Sequence, residues 1–212
     1  MSGSFNETNL FRKRKVWFER KCLTSTPKRL ELLMPDTLSS FTNITALCRE
    51  IYLNKSKDYG TAWRILRPVG IADQLYIKAN RIRTIQENGS SLVGDGVEGE
   101  FMAIVNYCLI GLIQLNAHEG LSLELTLEEA ETLYDNYLNE AISLMLKKNH
   151  DYGEAWRSMQ VESLTDLILM KIYRIKQIIH NDGTTIASEG IDANYYDMLN
   201  YAVFALIHLG VK

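Results

Sequence analysis

The sequence predicts an all-α fold, a helical bundle built from two tandem, pseudo-symmetric three-helix repeats. Three observations predict it: the chain repeats itself, its apolar residues recur at helical spacing, and no long segment alternates as a strand would. The segment DYGTAWR at residues 58–64 returns as DYGEAWR at 151–157, an offset of 93. Asp73, Lys78 and Arg81 match Asp166, Lys171 and Arg174 at that same offset. One inserted residue then moves the offset to 94, where Gly89, Gly96 and Asn106-Tyr107 match Gly183, Gly190 and Asn200-Tyr201. One register kept through three separated motifs marks an internal duplication.

The elements follow in order. Residues 1–30 carry eight Lys/Arg against Glu7 and Glu19, a net charge of +6 that leaves −9 on the rest of the chain. Residues 1–35 are therefore expected to form a poorly ordered basic arm, followed by repeat 1 at 36–120 and repeat 2 at 121–212 in one compact bundle. The first helix of each repeat is expected at about 40–55 and 127–148. Thr126 followed by Glu129 gives the second of these a capping-box start. The DYG segment breaks each first helix, because glycine accepts the backbone angles of a turn. Second helices are expected at about 71–87 and 163–181, and third helices at about 98–116 and 192–209, with glycine-containing loops between them.

Composition excludes several classes. At 46% hydrophobic and 23% charged, the chain is globular rather than disordered or collagenous. Its apolar runs fall short of the roughly 18 residues a membrane span needs, so no membrane partner is expected. Cys22, Cys48 and Cys108 are odd in number and widely spaced, which suits free thiols and a cytoplasmic location. Only the basic arm offers nucleic acid a partner, since the acidic body would repel phosphates. No P-loop, dinucleotide fingerprint or Gly-x-Ser-x-Gly is present.

The chemistry concentrates on the second and third helices. Lys171 sits within LILMKIY, a stretch apolar almost all round, and Arg174 follows one turn later; Lys78 and Arg81 repeat the placement. Buried cations need anions, supplied by the fold, by a ligand's phosphates, or by both. In the third helix Asp197 and Asn200 interrupt an apolar run, with Glu189 and Asp192 just before it. Carboxylates beside cations suit magnesium or manganese with a polyphosphate, Asp197 being the main ligand and Glu189, Asp192 and Asp151 the others. A structural ion-pair network satisfies the same charges. Arg64 and Arg157 could bind phosphate or pin a carboxylate. Tyr152 needs a partner if buried, while Trp63 and Trp156 read first as core anchors.

At DYG-x-AWR, the Lys-x-x-Arg-Ile helix and the Asp-x-x-Asn-Tyr-Ala helix, the chain resembles the bacterial and phage nucleotide modification associated helical family. The resemblance covers both copies, about residues 36–210, and is fuller in copy 2, because Ala103 replaces the aspartate of the last motif. A more remote similarity is to MazG-like all-α nucleoside triphosphate pyrophosphatases. These resemblances imply a metal-dependent nucleotide-binding protein, a (d)NTP pyrophosphohydrolase in the fullest form. Lys171, Arg174, Arg157, Tyr152 and Asn200 would hold the nucleotide in copy 2, and Lys78, Arg81, Arg64 and Asn106 in copy 1. The alternative is a non-catalytic helical module that binds a nucleotide or a protein, its charges structural. A homodimer is the other partner to weigh, although internal duplication can stand in its place.

Overall fold

The computed structural model describes residues 27–92, 94, 96–116, 122–185 and 189–212, with side chains from residue 36 onward. The basic arm expected at 1–35 falls largely outside the described residues. The chain divides into two compact units, Met1–Thr37 and Leu38–Lys212, and the second contains both repeats.

Six helices carry the architecture: α1 (Pro27–Tyr59), α2 (Pro68–Asn88), α3 (Glu98–Leu115), α4 (Leu127–Tyr152), α5 (Val161–His180) and α6 (Ile191–His208). Helix α1 begins well before the expected residue 40. Proline at its first position costs no hydrogen bond, because a helix's first N–H groups have no internal partner. The capping box at α4 forms as expected: the Thr126 hydroxyl accepts from the Glu129 amide at 3.2 Å, and the Glu129 carboxylate accepts from the Thr126 amide at 2.8 Å. Those hydrogen bonds hold the Glu129 carboxyl below its ordinary pKa. Helices α1 and α4 both end at the DYG tyrosine, followed by Gly60 at φ 64° and Gly153 at φ 60°. Only glycine enters this left-handed region without a steric penalty.

After each glycine the AWR triplet forms a short 3-10 turn, Ala62–Ile65 and Ala155–Ser158. Four residues are too few for helical periodicity, which is why the pattern did not announce these turns.

At the centre α3 crosses α6. Phe101, Ile104, Leu109 and Leu112 from α3 and Met198, Leu199, Val203 and Leu206 from α6 are buried at this crossing's core. The approach is close: a Cβ added to Gly111 would lie 2.6 Å from the Tyr195 ring. Helix α2 packs on α3, α5 packs on α6, and α2 and α5 also meet. Each repeat's second and third helices therefore face their counterparts. Reciprocal ion pairs mark the symmetry. Asp73 of α2 pairs with Lys176 of α5 at 2.6 Å, and Asp166 of α5 pairs with Arg83 of α2 at 2.5 Å. The 93-residue offset exchanges one pair for the other, as in a two-fold interface between identical subunits.

Helix α1 joins the core through long side chains. Phe41 meets the Phe204 ring edge-on at 6.3 Å, and Tyr52 stacks on Tyr134 at 4.5 Å. Arg49 also holds Asp135 at 2.7 Å and pairs with Glu131. Helix α3 is long and apolar enough to pass as a membrane span, contrary to the expectation from apolar runs. Half or more of it is buried inside the bundle, as a core helix requires. Cys48 and Cys108 are buried free thiols.

Candidate functional site

Each repeat encloses a cavity at the same place, where the end of its first helix, its 3-10 turn and its third helix converge. The volumes are about 400 Å³ in repeat 1 and about 410 Å³ in repeat 2. Lys55, Tyr59, Trp63, Asn106 and Tyr107 line the first; Lys148, Tyr152, Trp156, Asn200 and Tyr201 line the second. These sets correspond one to one under the repeat offset. Cavities of this size hold small-molecule ligands.

The buried cations find anions inside the fold. In repeat 2, Asp197 is 7% exposed, and its Oδ2 lies 2.6 Å from Lys171 Nζ while Oδ1 pairs with Lys148. Lys148 was missed in the sequence, although Lys55 stands at the matching position of repeat 1. In repeat 1 the anion is Glu100, which pairs with Arg81 and lies 3.1 Å from Lys78. Glu100 was missed because it sits one turn before Ala103, the position aligned with Asp197. A helix turn presents i and i+3 to the same neighbour, so a carboxylate can shift register and still reach the cations. Arg174 is placed differently from its counterpart: it is exposed and makes no ion pair among the described residues. The position of Glu100 holds Asn194 in repeat 2, whose side chain donates to the Gly190 carbonyl at 2.7 Å. Tyr201 lies in the cavity wall within the fields of Asp197 and Arg174. Burial, reinforced by Asp197, pushes its phenol up to about 12.

Several expected ligand residues lie elsewhere. Arg64 is buried and serves the connection between repeats, donating to the Ser122 carbonyl at 3.2 Å and to Gln114. Arg157 lies over the Trp156 ring at 4.6 Å and donates to Glu154 at 2.9 Å. Phe204 stacks on Trp156 at 4.4 Å with an interplanar angle of 3°. Two such close neighbours make Trp156 a core anchor and leave its ring faces no room for a base. Tyr59 and Tyr152 are 61% and 73% exposed at the two cavities, so their rings are open to a ligand.

Of the proposed metal donors, Asp197 and Glu189 share the repeat-2 cavity wall and the other two lie outside it. Glu189 lies in the repeat-2 cavity wall, Asp192 is exposed on the first turn of α6, and Asp151 is exposed beside His150 at 3.1 Å. Among the described residues no three His, Cys, Asp or Glu side chains cluster as a metal site. Asp197 gives both oxygens to ammonium groups. As arranged, these residues do not fit magnesium, which takes carboxylate oxygens directly.

The two cavities differ in how their polar groups are satisfied. In repeat 1 the Asn106 side chain donates to the Cys48 carbonyl at 3.0 Å and accepts from the Tyr134 hydroxyl at 2.8 Å. The Trp63 indole Nε1 is buried without a hydrogen-bond partner. In repeat 2 the buried Trp156 Nε1 and Asn200 Oδ1 have no partner.

The family model described as nucleotide modification associated domain 1 matches the chain twice, over residues 55–115 and 148–209. The two matches together cover more than half the chain and fall one on each repeat. No curated protein and no solved structure matches it.

Proposed function

We propose that this chain, which belongs to the nucleotide modification associated domain 1 family, binds a nucleotide in the cavity of repeat 2. One observation carries the reading: Asp197 holds two lysines, from α4 and α5, at a 410 Å³ cavity whose mouth carries an open tyrosine ring. The Asp197 cluster taken by itself carries one positive charge that a phosphate group complements at Lys148, although the Glu189 carboxylate elsewhere in the wall offsets it. Tyr152 supplies the flat surface on which a base stacks. The family description and the sequence resemblance point to the same class of ligand.

Hydrolysis of a (d)NTP to monophosphate and pyrophosphate is the fuller form of the proposal. The donor set does not fit magnesium or manganese, since Asp197 gives both oxygens to ammonium groups. The chain's own contribution is binding: Lys148 in the cavity wall neutralises phosphate charge, Asp197 holds it against the buried Lys171, and Tyr201 walls the cavity.

A panel of nucleoside mono- and triphosphates, with and without magnesium or manganese, tests this by melting shift and by phosphate release. Saturation at a hundredfold over Kd should stabilise the protein by about 2.7 kcal/mol. A Lys148→Ala variant should lose most of that shift. Metal-dependent release of pyrophosphate supports the enzyme form. A chain whose melting no nucleotide moves leaves the second reading, in which Lys148–Asp197–Lys171 and Lys78–Glu100–Arg81 only hold helices together. The close pairing of Lys171 with Asp197, both nearly buried, favours that alternative.

A further inference from the structure

The duplication supplies an internal control for every residue of the repeat-2 cavity, and two substitutions between the copies alter its hydrogen bonding. Tyr134 gives its hydroxyl to Asn106 at 2.8 Å. By the repeat offset, the residue standing in that place toward Asn200 is Phe41, which has no hydroxyl. Tyr52 lines the repeat-1 cavity with Trp63, and its counterpart beside Trp156 is Met145, whose sulfur receives the Asn149 side chain at 3.1 Å. Repeat 2 has therefore lost two phenols: Asn200 Oδ1, whose counterpart Asn106 is served by Tyr134, is left unpaired, and beside it the Trp156 Nε1–H has no partner, as the Trp63 Nε1–H has none in repeat 1. The residues themselves are 5% and 4% exposed, and both line the cavity.

A buried donor and a buried acceptor without partners are each costly, and native folds seldom keep them. From this we infer that the repeat-2 cavity reads the hydrogen-bonding edge of a nucleobase, Trp156 Nε1–H donating to a ring nitrogen or carbonyl and Asn200 Oδ1 accepting from an N–H. A base edge carries a donor and an acceptor side by side on a rigid plane, the complement of this pair. The two faces of Trp156 are covered by Phe204 and Arg157, so the indole meets a ligand through its N–H edge and not by stacking. Repeat 1 satisfies its own asparagine and leaves only the Trp63 Nε1–H unpaired, so it lacks the acceptor half of this pair. The inference rests on the nucleotide assignment and gives it a base-recognition element in one copy.

Calorimetric titration of the full chain with the common nucleoside 5′-monophosphates, ribose 5-phosphate and inorganic pyrophosphate tests it. At least one nucleotide should bind about tenfold or more tightly than ribose 5-phosphate, the order expected for one well-made buried hydrogen bond. Trp156→Phe and Asn200→Leu should each remove most of that preference, read as the ratio of nucleotide to ribose 5-phosphate affinity. Phe41→Tyr gives Asn200 an internal partner without touching the cavity wall, and should weaken the preference in the same way even if the other two variants fold poorly. Variants that keep the wild-type preference overturn the inference. Equal binding of nucleotide and ribose 5-phosphate by the wild type also overturns it, while the phosphate reading stands. A wild type that binds none of these probes overturns both.

Discussion

Asp197 accepts two ammonium groups while itself nearly buried, so its removal exposes how much of the charge cluster is structural. Asp197→Asn keeps the shape and strands Lys171, which is 7% exposed. Breaking a buried pair by removing one partner costs about 3–5 kcal/mol, and chemical denaturation should show a loss near the lower end, because Lys148 can turn toward water. The same experiment on Glu100→Gln should show a smaller loss, since Lys78 and Arg81 are both more exposed than Lys171. A negligible loss at Asp197 would mean that the cations do not depend on it. The need for anions beside Lys171 and Lys78 was legible in the sequence, because a lysine in an apolar stretch demands compensation. Glu100 and Lys148 were not legible, since aligning the copies residue against residue hides a carboxylate moved by one turn. The apolar stretch preceding Arg174 implies burial, but its side chain opens to solvent in the fold.

The helices themselves were largely legible, because their boundaries are local chemistry. Thr126 and Glu129 form a cap, and the glycine after each DYG tyrosine takes a positive φ. The early start of α1 and the 3-10 turns were not, since neither leaves a periodic signal. What the sequence could not show at this scale is which helices touch. The crossing of α3 and α6 is set by Gly111, over which the Tyr195 ring lies. Gly111→Ala should destabilise the fold by about 1–3 kcal/mol through overpacking, measured as a drop in melting temperature. Gly99→Ala on the same helix, with nothing within 4 Å of the added methyl, should instead be neutral or stabilising by up to about 1 kcal/mol. Equal effects from the two would show that the crossing yields freely.

Over the whole molecule, burial raises several phenols together. Tyr52 and Tyr201 are pushed up to about 12, and Tyr134 and Tyr195 are raised as well, each chiefly by desolvation. In the unfolded chain tyrosine titrates near 10. Between about pH 10 and 12 the folded state therefore keeps protons that the unfolded state has lost, and stability falls as pH rises through that window. Below pH 10 these groups contribute their full stabilisation. Tyrosinate absorbance and helical circular dichroism should change together in an alkaline titration; phenols that ionise well before the helices melt would contradict the burial. The pseudo-two-fold arrangement that buries them was legible from the repeat, and the reciprocal Asp73–Lys176 and Asp166–Arg83 pairs are its physical form. That arrangement also sets a problem of timing during synthesis. The surface of α3 that packs on α6 leaves the ribosome 94 residues ahead of its cover. At about 5–20 residues per second that is roughly 5–20 seconds of exposed apolar helix. A message truncated between the repeats would accordingly yield a sticky half-protein that sediments with aggregates or chaperones, and the nascent chain depends on its own second half as an unfinished dimer depends on its partner.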